Sequence, residues 1–146
     1  VPHLEHPNPT MQRASWCSLN GVWELDRSVA DLNHPPVNDS SPLPETILVP
    51  FPMESALSGV RNQTQAGYAF YRRRFTLPVG LNGSAAILLH FEAVDWEAHV
   101  YVNGQLVGTH QGGFDAFVFD ITSTVMHGDS ENENELIVGI FDSTGD

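Results

Sequence analysis

The residues of this chain that are best suited to chemistry are 18 aspartates and glutamates, seven histidines and one cysteine. Two carboxyl groups on either side of a scissile bond can hydrolyse a glycoside, but no spacing in the sequence singles out such a pair. No histidines stand in a His-x-His or His-x-x-x-His pair, and Cys17 is remote in sequence from all of them. We therefore expect no zinc site and no cofactor, while calcium binding in the acidic loops stays open.

Asp95 and Trp96 form the most distinctive polar site. An indole ring can stack on a sugar while the neighbouring carboxylate binds the sugar hydroxyls, which would make this pair a carbohydrate contact. The alternative is structural, and the sequence favours it. Asp95 would then pair with an arginine of the Arg72-Arg73-Arg74 run in a buried, bidentate link between neighbouring strands, and Trp96 would pack at a domain interface.

A β-hairpin is predicted directly after this pair. Apolar residues alternate with His99 and Tyr101 over residues 98–102, and Asn103-Gly104 supplies the two positive-φ residues that a type I′ turn requires. The return strand covers residues 105–109. Gly112-Gly113 then ends the ladder, because residues without Cβ adopt backbone angles that are closed to others.

The remaining chain has the pattern of further short strands separated by turn signals. Strands are predicted at residues 19–25, 47–49, 68–77, 85–92 and 136–141. The 85–92 strand is apolar on both faces, so we expect it in the middle of a sheet between two layers. With no sustained helical period, the pattern predicts an all-β fold, an antiparallel jelly-roll β-sandwich, over residues 15–146. Residues 1–14 contain three prolines and are predicted to form an extended N-terminal arm.

Composition excludes several classes of partner. The net charge of −12 would repel phosphate, so nucleic acid is not expected. The longest apolar run is far below the ~18 residues that a membrane span needs, so we expect no membrane insertion. Three N-glycosylation triplets begin at Asn38, Asn62 and Asn82, in predicted loops, and favour a secreted, extracellular protein. No apolar signal segment precedes Val1, so such a signal would have been removed or lie outside this sequence.

Four stretches carry a resemblance to a known family. They are Leu19-Asn20-Gly21-Val22-Trp23, Val49-Pro50 followed by Glu54-Ser55, Tyr71-Arg72-Arg73-Arg74-Phe75-Thr76-Leu77-Pro78, and the run from Val94 to Thr122 with its Gly-x-His-x-Gly-Gly-Phe segment. These motifs resemble the N-terminal sugar-binding domain of glycoside hydrolase family 2, which contains β-galactosidases, β-glucuronidases and β-mannosidases. The resemblance covers residues 18–142. One position departs, since Ala116 stands where many members have proline.

The resemblance implies a galactose-binding-domain-like jelly roll that binds carbohydrate and docks with other domains of the same polypeptide, while catalysis lies on a later barrel domain. It therefore implies no catalytic residue in this chain. The family's acid/base glutamate follows an asparagine, but we expect Asn132-Glu133 and Asn134-Glu135 to form a solvated acidic turn. His110 belongs to the family's sequence motif, and it either contacts substrate or orders its loop by hydrogen bonding.

The leading hypothesis is thus a scaffold domain of a β-glycosidase that hydrolyses O-glycosyl bonds, and the alternative is a free-standing carbohydrate-binding module without catalysis. Members of the family run on past the strand at residues 136–141 with a further strand. We therefore expect the domain to be truncated before its final strand, which would leave Ile137 and Phe141 at an unpaired sheet edge.

Overall fold

Two antiparallel sheets make up the fold in the computed structural model, which describes residues 15–60, 67–84, 86–128 and 133–142. The strands are β1 (Gly21–Asp26), β2 (Glu45–Val49), β3 (Tyr68–Phe75), β4 (Leu88–Phe91), β5 (Glu97–Val102), β6 (Gln105–Gln111), β7 (Phe117–Asp120) and β8 (Asn134–Phe141). The large sheet has the order β2-β1-β3-β8-β5-β6, and the small sheet pairs β4 with β7. The predicted all-β sandwich is confirmed. Helices in the described part of the chain are 3-10 turns at Ala56–Ser58 and Val79–Leu81, and none is long and apolar enough to cross a membrane.

The main core lies between the two sheets. Alternate residues of each strand point to this side, as the two-residue period of extended chain requires. The buried members are Trp23, Leu25, Ile47, Ala69, Ile87, Leu89, Ala98, Val100, Val102, Ile121, Val125, Leu136 and Val138. Removing this apolar surface from water is the largest favourable contribution to folding.

A second, smaller cluster covers the opposite face of the large sheet. Phe70 and Ile137 lie at its centre, and Leu32 packs on them from the connection between β1 and β2. We call this connection, residues 27–44, the β1–β2 loop. Its prolines predict a surface loop, and its tip is exposed, but its buried leucine makes it a cover for the sheet as well.

The predicted hairpin is confirmed in detail. β5 pairs with β6 across a turn in which Asn103 has a φ of 49° and Gly104 a φ of 80°. Both values are positive, as a type I′ turn requires. β6 ends at Gln111, directly before Gly112, whose φ of 129° is unfavourable for residues with a side chain.

Strand β4 is not in the middle of a sheet, so that prediction is wrong. It pairs only with β7 in the two-stranded sheet of the described chain. Ile87 and Leu89 face the core, whereas His90 is exposed. The other face of this short strand carries the half-buried Leu88 beside the exposed His90. Alternation alone does not distinguish this arrangement from a central strand.

Strand β8 is not at an edge, and this prediction is also wrong. It pairs with β3 on one side and with β5 on the other. Ile137 is buried in the second cluster, and Phe141 pairs with Tyr68 and Glu97. The edges of the large sheet are β2 and β6 instead.

Candidate functional site

The structure brings Asp95, Trp96 and His110 together at one end of the large sheet. The register pairs Ala98 with His110, so the chain that enters β5 lies beside the chain that leaves β6. The backbone N–H of Gly112 donates to the carbonyl oxygen of Trp96 at 2.8 Å. We call this group, Asp95, Trp96, His110 and loop residues 112–115, the Trp96 end of the domain.

The end of β8 also reaches this site. The backbone N–H of Trp96 donates to the carbonyl oxygen of Phe141 at 3.1 Å. The Phe141 ring stacks on Tyr68 with the ring centroids 4.7 Å apart. Hydrogen bonds to the end of β8 and to the loop after β6 therefore fix the backbone of Trp96, and the peptide bond between Asp95 and Trp96 is cis.

Asp95 is exposed and does not pair with the arginine run. Among the described residues no ion pair joins it to an arginine, and the expected buried link to Arg72, Arg73 or Arg74 is wrong. The physical reason is strand order: the arginines lie on β3 and Asp95 precedes β5, while β8 lies between these two strands. The Asp95 carboxylate instead lies against Gly113, where an added Cβ would be 2.7 Å from Oδ1. A side chain at that position would displace the carboxylate.

Trp96 is 44% exposed, so much of its indole is open to a partner. The ring offers an apolar face and one N–H donor, a combination that suits both sugars and protein interfaces. The two predictions for Trp96, sugar contact and domain docking, are both compatible with this placement.

His110 is fixed by stacking. Its ring lies on Phe117 with the centroids 4.0 Å apart, and Phe117 stacks on Phe91 at 4.8 Å. This ladder joins β6 of the large sheet to β7 and β4 of the small sheet. The His110 Nε2 atom is buried and has no hydrogen-bond partner in the described part of the chain. This nitrogen therefore does not make the hydrogen bond that was expected to order the loop.

The partner of Arg72 is Glu24. The Arg72 side chain is fully buried, and its Nε donates to Glu24 Oε2 at 2.7 Å while Nη2 contacts the same oxygen. Arg72 also holds the β1–β2 loop, because Nη1 donates to the carbonyl oxygen of Asp39 at 2.7 Å and Nη2 to that of Ser41. This buried cation connects β1, β3 and the loop that covers the second cluster.

The other two arginines of the run make different contacts. Arg73 Nη1 donates to the carbonyl oxygen of Val22 at 2.9 Å. Arg74 lies 3.9 Å from Glu133 and 3.8 Å from Glu135. The solvated acidic turn predicted here is correct for the exposed Glu133 but wrong for Glu135, whose side chain is only 15% exposed.

Asn134 is wholly buried in a network that sequence analysis missed. Asn103 Nδ2 donates to Asn134 Oδ1 at 2.8 Å, and the backbone N–H of Met126 donates to the same oxygen at 2.7 Å. Asn103 Oδ1 accepts from the backbone N–H of Glu135 at 2.9 Å. The hairpin turn is thereby tied to β8 and to the segment before it. An Asn-Gly turn followed 30 residues later by a strand-opening asparagine gives no local signal of this contact.

The glycosylation triplets differ in their surroundings. Asn38 is exposed in the β1–β2 loop, with its side-chain amide beside Gly104. Asn82 is exposed, but its amide exchanges two hydrogen bonds with the Gly128 backbone, at 3.3 and 3.1 Å. Asn62 and the predicted arm at residues 1–14 lie outside the described residues. Within the described ranges, no three histidine, cysteine, aspartate or glutamate side chains are grouped to hold a metal ion.

Comparisons with known proteins agree with this geometry. Residues 40–143 match the sequence model of the family described as glycosyl hydrolases family 2, sugar binding domain. The chain is 42% identical over 64 residues to a β-galactosidase of Thermoanaerobacter pseudethanolicus, which covers 44% of this chain and 8% of that protein. It is 28% identical over 131 residues to a putative β-glucuronidase of Formosa agariphila, covering 86% of this chain and 15% of that protein.

Solved structures show the same likeness. A Bifidobacterium dentium β-glucuronidase, solved with coumarin-3-O-glucuronide, superposes with a TM-score of 0.69 at 32% identity, over 84% of this chain and 19% of that one. A Faecalibacterium prausnitzii β-glucuronidase gives 0.68 at 30% identity, over 90% and 22%. The chain thus spans less than a quarter of the length of these relatives. On its matched residues and its fold, it belongs to glycosyl hydrolase family 2, as the sugar-binding domain of that family.

Proposed function

We propose that this domain serves a longer β-glycosidase that hydrolyses O-glycosyl bonds, as a scaffold that docks other domains and contributes a carbohydrate contact. Family membership supports the setting. The observation that carries the carbohydrate contact is the convergence of Asp95, Trp96 and His110 at the Trp96 end, two of them exposed and the third held by an aromatic stack.

The chemistry of the Trp96 end suits a sugar. Pyranose rings have apolar C–H faces that stack on an indole, and hydroxyl groups around their edge that donate to a carboxylate. The exposed Asp95 carboxylate lies next to the exposed Trp96 in the chain, and the fixed backbone of both residues limits the entropy lost on binding. Neutral sugars fit better than uronates at this surface, because Asp95 and Asp115 are both exposed carboxylates that would repel an anion.

Catalysis is assigned to a part of the polypeptide outside these residues. Hydrolysis of a glycoside requires two carboxyl groups that flank the bond in an accessible cleft. The two glutamates that sequence analysis considered, Glu133 and Glu135, both lie near arginines. Glu135 is only 15% exposed beside Arg74, and Glu133, although 59% exposed, lies 3.9 Å from the same arginine. Arg74 is therefore an electrostatic partner of both carboxylates.

Sugar binding can be tested directly on this chain. We would titrate it with methyl β-galactoside, β-mannoside and β-glucuronide and measure the affinity by calorimetry, which serves the wild type and every variant alike. The Trp96→Ala substitution should weaken the best ligand roughly tenfold, equivalent to about 1.4 kcal/mol for a lost stacking face. Met126→Ala is the matched control, because Met126 is also 44% exposed but lies beside Asn134 at the opposite end of β8.

The outcomes separate the candidate roles. Equal affinity in the two variants would place the carbohydrate contact elsewhere, and no binding by any variant would leave docking as the role of the Trp96 end.

The assignment of catalysis to another part of the polypeptide has its own test. The 146-residue chain should not hydrolyse nitrophenyl β-glycosides, whereas the full-length polypeptide should. Turnover by this chain that is lost in Glu133→Gln or Glu135→Gln would contradict the assignment.

We further propose an extracellular location, on the basis of the exposed triplets at Asn38 and Asn82. In a secreted eukaryotic preparation, enzymatic deglycosylation should lower the mass of peptides that contain Asn38. Peptides of unchanged mass at all three triplets would remove the support for this location.

A further inference from the structure

We propose that Phe114 is the anchor by which this domain docks onto another part of the same polypeptide, with Trp96 at the rim of the contact. This inference rests on the proposed function, because it requires the longer glycosidase. The inference goes beyond the proposed function by naming the surface and the chemistry of the partner.

Phe114 is 97% exposed, although it lies in a loop that the structure holds firmly. The preceding Gly112 donates its backbone N–H to the Trp96 carbonyl oxygen at 2.8 Å, and Gly113 lies under the Asp95 carboxylate. A phenyl ring presented on such a fixed support loses little conformational entropy when it is covered.

An isolated apolar side chain on a surface needs no explanation, but Phe114 is not isolated. The hydrogen bond from Gly112 places the loop beside Trp96, whose indole is also open to solvent. Aromatic residues are enriched among the few that dominate protein interfaces, and they insert into pockets of the partner. Two rings of different size at one end of the domain therefore have the composition of an interface centre.

The charges beside these rings define the partner. An added Cβ at Gly112 would be 3.3 Å from Asp115 Oδ2, and one at Gly113 would be 2.7 Å from Asp95 Oδ1, so both carboxylates lie along the backbone that leads to Phe114. Neither is paired with a cation among the described residues. The complementary surface is an apolar pocket rimmed by lysine or arginine.

The path of the chain identifies the partner as part of the same polypeptide. β8 ends at Phe141, and Phe141 accepts the Trp96 N–H at 3.1 Å. The last described residues, which follow β8, therefore lie at the Trp96 end. A short connection gives a tethered domain an effective concentration in the millimolar range, so that even a modest contact is occupied. The relatives are at least four times as long as the matched region, which leaves ample polypeptide to form the contact.

Hydrogen exchange of the full-length polypeptide tests the proposal. Amides of residues 112–118 should be protected there relative to the 146-residue chain. Phe114→Ser should raise their exchange rate roughly 30-fold, which corresponds to about 2 kcal/mol for loss of an anchoring aromatic residue. Val79→Ser is the matched control, because Val79 is 92% exposed but follows β3 at the opposite end of the sheet, and it should leave the rate unchanged.

Two outcomes would overturn the proposal: no protection of residues 112–118 in the full-length polypeptide, or equal exchange rates in the two variants. Exchange in β1 serves as the folding control, and should be the same in all variants. Turnover of nitrophenyl β-glycosides separates the two proposals. Protection without turnover would refute the proposed activity and leave the docking surface, whereas turnover without protection would refute only the docking surface.

Discussion

Replacement of Arg72 by leucine should be among the most destabilising substitutions in this domain. Arg72 is the only arginine of the described chain with a side chain recorded as fully buried. It binds Glu24 with two nitrogen atoms and donates to two carbonyl groups of the β1–β2 loop. Leucine retains the apolar stem and removes the charge and every donor, so that the change isolates the electrostatic role.

The magnitude follows from what the substitution leaves behind. Glu24 loses its cation, the carbonyl group of Ser41 loses the Arg72 donor, and that of Asp39 keeps only the Arg74 Nη2 donor at 3.2 Å. Breaking a buried pair by removing one partner costs about 3–5 kcal/mol. Glu24 keeps 30% of its side chain exposed, so water compensates part of the loss, and we expect about 3 kcal/mol. That is a large fraction of the roughly 5–15 kcal/mol that stabilises a domain.

The matched control is the second arginine–glutamate pair of the same sheet. Arg27 binds Glu45 in a bidentate contact at 3.0 and 2.6 Å, but the two side chains are 25% and 37% exposed. Exposed pairs contribute about 0–1 kcal/mol. Arg27→Leu should therefore cost less than about 1 kcal/mol although its hydrogen-bond geometry is at least as good.

Urea unfolding followed by circular dichroism measures both variants, with the slope m checked for constancy. Glu24→Leu combined with Arg72→Leu should recover part of the loss, because no uncompensated charge then remains. If Arg72→Leu and Arg27→Leu differ by less than about 0.5 kcal/mol, which is the usual range of surface substitutions, burial does not decide the energy of these pairs and the argument fails.

Further predictions concern Asp95, Asn134 and Tyr71. Asp95→Asn should change the free energy of unfolding by less than about 0.5 kcal/mol, because the carboxylate is exposed and has no ion pair with the described residues; a loss of several kcal/mol in urea unfolding would contradict its placement. Asn134→Leu should cost about 2–4 kcal/mol in the same assay, since Asn103 and the Met126 N–H would lose a buried acceptor, and a neutral result would show that water replaces it. Burial, aided by Glu54, raises the pKa of Tyr71 from 10.0 to about 12; the folded state then holds this proton more tightly than the unfolded state. Its stability contribution is thus fully present below pH 10 and is lost as the pH rises to about 12. Tyrosinate absorbance should show one late-titrating tyrosine fewer in Tyr71→Phe than in the wild type.

The local features of the fold could be predicted from the sequence. The Asn103-Gly104 turn depends on the φ angles of two adjacent residues, and the alternation of Ala98, Val100 and Val102 depends only on the period of a strand. Both are confirmed. The family resemblance located the glycine pair after β6 and the Asp95-Trp96 site in the same way, because these are local sequence motifs that can be identified without knowing the partner strand.

The order of the strands could not be predicted, because pairing joins residues far apart in sequence. Apolar residues on both faces occur in β4 and in β8, so this pattern does not say which of the two strands is covered on both faces. The structure gives that position to β8, whose second face lies under the β1–β2 loop, and not to β4.

The partners of the charged residues were likewise decided by the tertiary structure. Alternation determines that Arg72 and Arg74 share a face of β3, since side chains two apart point the same way. Which carboxylate meets them depends on the neighbouring strands, and these are β1 with Glu24 and β8 with Glu135. Sequence by itself determined the hairpin and the fold class, and it singled out Asp95, Trp96 and His110 as candidate residues. Only the tertiary structure decided that Asp95 does not pair with Arg72, Arg73 or Arg74, because β8 separates the two strands that would have had to be neighbours.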